Sequence, residues 1–210
     1  MMRFIKDTRG AGAAEFALVL PAALLLLFGV IDVGRYAWQL NEYEKAVQLG
    51  ARYAVATDIV PGALNSGSFA GQTCNGVAIV AGDTICAEAM QTITCDDTSC
   101  SCSGGSGLCY NGNYNAAAFD AIVTRMRVAT PRLHDTDVTI SYAGSGLGYV
   151  ADPAVDDDDQ PLADVAPIVT VTLTNMRYQP ITLTLVGVNV PYPSFSYSLS
   201  LEDGDGAIAS

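Results

Sequence analysis

The chain is short of the residues from which most enzyme chemistry is built. In 210 residues it has one histidine, His134, and one tryptophan, Trp38. No serine or cysteine nucleophile stands in a recognisable relation to His134, so a hydrolytic triad has no support. Lys and Arg number 10 against 22 acidic residues, for a formal net charge of −12 at pH 7. That balance excludes a nucleic-acid binder, which needs clustered cations against phosphate. Two CxxC pairs are also missing, so the cysteines do not read as a zinc site. GSGLG at 144–148 follows an expected strand but opens no helix and has the wrong glycine spacing for a nucleotide loop, so it reads as a flexible loop. The acidic run Asp156, Asp157, Asp158 and Asp159 is a weak calcium candidate, as are Glu202, Asp203 and Asp205. Neither run has the spaced ligands and closing Glu of an EF-hand, and like charges in a run read as a solvated loop. No enzyme activity, cofactor or metal is expected.

A different absence shapes the N-terminus. No charged residue lies between Glu15 and Asp32. Residues 10–35 read GAGAAEFALVLPAALLLLFGVIDVGR, and an apolar helix of about 20 residues spans a hydrocarbon core. Ahead of it, Arg3, Lys6 and Arg9 stand against Asp7, a local charge of +2 that leaves about −14 for the rest. Basic flanks stay in the cytoplasm, so the expected topology is a single pass, N-terminus inside and the bulk outside. The small residues 10–14 precede the apolar run, whereas a secretory signal places its cleavage site after it. They suit a peptidase that cuts in front of the membrane helix. Glu15 is the odd residue: a carboxylate entering lipid is costly and points to function, unless it rests at the cytoplasmic interface.

Six cysteines, Cys74, Cys86, Cys95, Cys100, Cys102 and Cys109, fall within one 36-residue window. Beyond a membrane span, an even count implies disulfides. Six cysteines allow 15 pairings, so connectivity stays open. Cys100 and Cys102, one residue apart, are expected to take different partners.

Periodicity fills in the rest. Tyr36, Leu40, Tyr43, Val47 and Ala51 or Ala54 recur at helical spacing, predicting one long helix over 13–57, bent at Pro21 and ended by Pro61-Gly62. Trp38 and Tyr36 lie where an aromatic belt would meet the outer interface, or else in a core. A short helix is expected from Asp83, with Cys86, Ala89, Met90 and Ile93 on one face, and another over 116–129 with Phe119, Ile122, Val123 and Met126 inward. The last third turns to period 2, with apolar residues alternating with Thr or Ser in four stretches near 138–142, 169–174, 181–185 and 195–201. This predicts an antiparallel sheet with one wet face. The second and third stretches are expected to pair as a hairpin through Tyr178-Gln179-Pro180. The fold class is α+β: a long N-terminal transmembrane helix packed on an antiparallel sheet of about four strands, with a disulfide-rich insertion. The segments are a basic leader at 1–10, the helix at 11–57, a Cys-rich loop region with short helices at 58–133 and the β domain at 134–210.

Gly10, then Ala11-Gly12-Ala13-Ala14-Glu15-Phe16, resembles the processing site of type IV-type prepilins, most closely those of the Tad (tight adherence) branch. The longer string RGAGAAEFALVLPAALLLLFGVIDVGRYAW, with QLGARYA at 48–54, resembles TadE-like minor pilins or pseudopilins. The C-terminal GSGLGY, Thr-alternating strands and FSYSLSLEDG are similar to the same proteins, less diagnostically. The Cys-rich insertion is not part of that likeness. The resemblance implies cleavage after Gly10, with Ala11 as the new N-terminus. It also implies that Glu15 and the α-amine of a neighbouring Ala11 set subunit registry. Implied partners are other pilin and minor pilin subunits, a prepilin peptidase, an inner-membrane assembly platform and the membrane itself, with adhesion a further role. The competing reading is an uncleaved, membrane-anchored extracytoplasmic binding module.

Overall fold

The computed structural model describes residues 11–153, 163–182 and 187–201. Helix α1 runs Ala11–Ala54 without a break, with Pro21 inside it. Strands β1 (Thr73–Cys74) and β2 (Val77–Ala78) form a small ribbon. β3 (Thr92–Cys95) and β4 (Cys100–Ser103) precede α2 (Ala116–Arg127). β5 (Val138–Ala143), β6 (Ile168–Leu173), β7 (Arg177–Tyr178), β8 (Val190–Pro191) and β9 (Phe195–Ser200) follow. The chain groups into two compact units, Met1–Asn41 with Arg177–Tyr192, and Glu42–Met176 with Pro193–Ser210.

The second unit is built on a five-stranded antiparallel sheet, in the order β4-β3-β5-β6-β9. Its strands alternate because one face is dry. Ile93, Cys95, Val138, Ile140, Tyr142, Val169, Val171, Leu173 and Phe195 are all buried. The other face is hydroxyl-rich, and Ser101, Thr94, Ser141, Thr170 and Ser198 stand in register across all five strands. Phe119, Ile122, Val123 and Met126 of α2 are fully buried, and the Asn115 side chain caps that helix by accepting from Ala118 N–H at 3.1 Å. Residues 42–54 of α1 bring Tyr43, Val47, Ala51 and Ala54 into the same core. Gly50 permits this approach, since a Cβ there would lie 2.7 Å from Met126 Cγ and 3.3 Å from Val171 Cγ1.

Several expectations change. The sheet has five strands, two of them from the Cys-rich region. There cysteine takes the place of the apolar residue in Thr-Ile-Thr-Cys, and Cys95 is fully buried. The helix expected from Asp83 is absent: a single 3₁₀ turn, Ala87–Ala89, leads into β3, and the Asp83 carboxylate accepts from Val80 N–H instead. The expected hairpin partner of β6 is not seen among the described residues: β6 pairs with β5 on one side and β9 on the other. Ile181 and Thr182 lie in a turn, 183–185 fall outside the described residues, and Tyr178 belongs to β7 paired with β8. GSGLG is held tightly rather than loosely. A Cβ on Gly144 would strike Ala87 O at 2.2 Å, and Gly148, at φ +121°, faces Asp164 O.

Three disulfides, Cys74–Cys86, Cys95–Cys100 and Cys102–Cys109, staple the region that carries few apolar residues. Cys100 and Cys102 do take different partners. Cys95 and Cys100 face each other across β3 and β4. The turn between them is closed by Asp96, whose Oδ1 accepts from Thr98 N–H, Thr98 Oγ1 and Ser99 N–H at 2.8–2.9 Å. The Thr98 amide and hydroxyl and the Ser99 amide hold the Asp96 carboxyl below its ordinary value of 3.8.

Two predictions follow from this packing. Gly50→Val is expected to cost about 1–3 kcal/mol by overpacking a filled core, read as a lower urea midpoint in detergent. Gly34→Ala, whose Cβ meets nothing within 4 Å, leaves that midpoint unchanged or raises it. A depressed folded pKa contributes stability above the unfolded value, and the contribution disappears as pH falls through the folded one. Asp96 therefore supports its turn above 3.8 and releases it below. Acid titration by NMR shows this inflection at the Thr98 and Ser99 amides, and Asp96→Asn abolishes it.

Candidate functional site

The candidate site is the N-terminal unit. Along α1 up to Val33 the apolar side chains are exposed, Phe16 at 65%, Leu25 at 64% and Val33 at 70%. A Cβ added at Gly12, Gly29 or Gly34 meets nothing within 4 Å. Among the described residues this is the one helix long and apolar enough to cross a membrane. Of the residues expected to direct processing and registry, Gly10 lies outside the described residues. Ala11 is the first residue of α1, and Glu15 and Phe16 are exposed on its opening turns. The six cysteines belong to the other unit and take no part here. Asp156, Asp157, Asp158 and Asp159 lie outside the described residues.

At the far end of the charge-free stretch sits a residue that the sequence marked only as its boundary. Asp32 is buried, and its carboxylate collects donors from residues about 150 positions away. Ile181 N–H donates to Oδ1 at 2.8 Å; Thr182 N–H and Thr182 Oγ1 donate to Oδ2 at 3.0 and 2.8 Å. The single Tyr178 hydroxyl proton is shared between Oδ1, at 2.9 Å, and the Asp32 carbonyl, at 2.8 Å. Arg35, one helical turn on, places Nη1 4.0 Å from Oδ1 and its guanidinium 5.9 Å from the Tyr178 ring centroid. These are charge-assisted bonds to an anion, the strong class of hydrogen bond.

An aromatic cluster surrounds this point. Tyr36 stacks on Tyr192 at 4.7 Å between centroids and meets Tyr178 edge-on at 5.5 Å. The Tyr192 hydroxyl donates to Gln39 Oε1 at 2.7 Å. Tyr36 is thus packed against tyrosines while Trp38, 68% exposed, points outward. The two residues considered together for an aromatic belt have separate environments. The only local sign of the Asp32 site was an acid one turn before an arginine, a spacing common on any helix. Its donors come from a distant segment whose two short strands have no strong pattern.

The arrangement holds residues 178–182 on the helix through hydrogen bonds to one carboxylate. Asp32→Asn replaces one acceptor oxygen by an N–H₂ facing the Thr182 donors. The expected result is loss of protection at the Ile181 and Thr182 amides, with hydrogen exchange about tenfold faster, while β5–β6 amides are unaffected. Unchanged exchange at both positions would show that the carboxylate does not hold this segment.

No curated protein and no solved structure matches the chain. The family model of TadE-like proteins matches residues 10–52, from the small-residue run through the apolar stretch and Asp32. Over that region the chain is similar to TadE-like proteins, a family associated with the Tad pilus.

Proposed function

We propose that this chain is a minor pilin or pseudopilin of a Tad-type system, processed by a prepilin peptidase after Gly10. The precursor sits in the inner membrane with its N-terminus in the cytoplasm and its disulfide-stapled head outside. Cleavage removes Arg3, Lys6 and Arg9, the charges that hold the leader at the cytoplasmic face, and creates a positive α-amine on Ala11. A carboxylate taken into an apolar bundle needs a positive partner to offset its desolvation. Glu15 of one subunit finds it in the Ala11 amine of the next, which sets the stagger between helices. The partners are other pilin and minor pilin subunits and the assembly platform. The head stands at the filament tip or primes assembly, and contacts surfaces from there.

The observation that carries this reading is the exposed apolar face of α1 from Phe16 to Val33, with Glu15 at its start. A helix with that much uncovered apolar surface requires lipid or other helices around it. The match of residues 10–52 to TadE-like proteins adds the pilus context.

The intact mass of the mature chain is expected to lack residues 1–10. A full-length mature chain would leave a stably anchored module in place of a pilin. Glu15→Ala is expected to insert in the membrane normally yet fail to enter pili, scored by membrane fractionation and by immunoblot of sheared filaments. Normal incorporation of that variant would remove the registry role.

A further inference from the structure

The segment 177–192 lies between β6 and β9 in the chain, and among its described residues the pairing formed is the two-residue one of β7 with β8. That ribbon is too small to bury its own apolar residues. Ile181 is 47% exposed, Val188 40% and Val190 36%. Its depth along α1 is fixed, because the Ile181 and Thr182 amides donate to Asp32. Asp32 ends the charge-free stretch that begins after Glu15, so it stands roughly 26 Å along the helix from Glu15 at 1.5 Å per residue. That distance is close to a hydrocarbon thickness of about 30 Å. The exposed apolar side chains therefore lie level with the outer end of the span. In a chain of net charge −12, residues 177–192 contain Arg177 and no carboxylate. Arg35, 4.0 Å from the Asp32 carboxylate, adds a second cation one helical turn further on.

We propose that this ribbon docks on the lipid surface, with Ile181, Val188 and Val190 in the headgroup–acyl boundary and Arg177 and Arg35 toward anionic headgroups. The proposal rests on α1 crossing the membrane with the head outside. Interfacial elements of this kind settle about 5–10 Å into the boundary, held by apolar area together with attraction to anionic lipid. Continuity with the span favours lipid over a second copy of this chain, and the cations suit anionic headgroups. Asp32 thus acts as the peg that sets the ribbon at membrane depth.

The test uses the full chain in vesicles of phosphatidylcholine and phosphatidylglycerol brominated at shallow or deep acyl positions. Trp38 is the only tryptophan, so Trp38→Phe gives a dark background for Val188→Trp, Val190→Trp and, inside the span, Leu25→Trp. Shallow bromines are expected to cause about a twofold loss of emission from Val188→Trp and Val190→Trp, as for a side chain at the boundary. Deep bromines should quench Leu25→Trp. Quenching of Leu25→Trp alone would place the ribbon off the membrane and overturn the proposal while leaving the span intact. A blue-shifted but unquenched signal that disappears on dilution would assign the face to a second copy, and equally overturn it. No quenching of Leu25→Trp would remove the membrane reading itself, and the proposal with it.

Discussion

An apolar helix that the described residues leave uncovered sets the terms for the rest of this molecule. From Phe16 to Val33 the large side chains of α1 project outward, and water is a poor environment for them. One face of the same helix, from Tyr43 to Ala54, is buried, with Gly50 against Met126 of α2 and Val171 of the sheet. One continuous element therefore has two solvents along its length. The change is encoded by composition: Leu, Val and Phe dominate the first part, while Ala46, Gly50, Ala51 and Ala54 allow close packing in the second.

Asp32 lies near that change. Its carboxylate gathers two backbone amides and two hydroxyls from 178–182, which removes the cost of an unpaired charge beside an apolar stretch. The consequence is positional as well as electrostatic, since Ile181 and Thr182, between β6 and β9, gain a fixed level on the helix. A carboxylate serves this better than an amide. It is acceptor-only, so every donor around it is satisfied without a choice of orientation.

The head solves a separate problem. Its Cys-rich portion has long polar runs, such as residues 96–107, with little to bury. Disulfides supply order there, and the β3–β4 hairpin adds two strands to the sheet instead of hanging from it as a loop. The opposite face of the sheet is a registered array of Ser and Thr, which keeps it wet. The TadE-like match ends at residue 52, so this stapled head lies beyond the region that carries the family likeness.

What the sequence determined was whatever depends on local order: the apolar span, the helical stripe from Tyr43 to Ala54, the α2 core residues, and the alternating strands at 138–143, 168–173 and 195–200. These patterns are set by 3.6- and 2-residue periods and survive without knowledge of partners. The likeness of residues 10–16 to a prepilin site is equally local. Only the tertiary structure decided which cysteines pair, that Thr92–Cys95 is a strand and not the end of a helix, and that the GSGLG loop is wedged against Ala87 and Asp164. It also decided that Asp32 is a buried acceptor for residues 178–182. Each of these turns on contacts between distant positions, where a short or ambiguous local pattern is overruled by the partner that the fold brings to it.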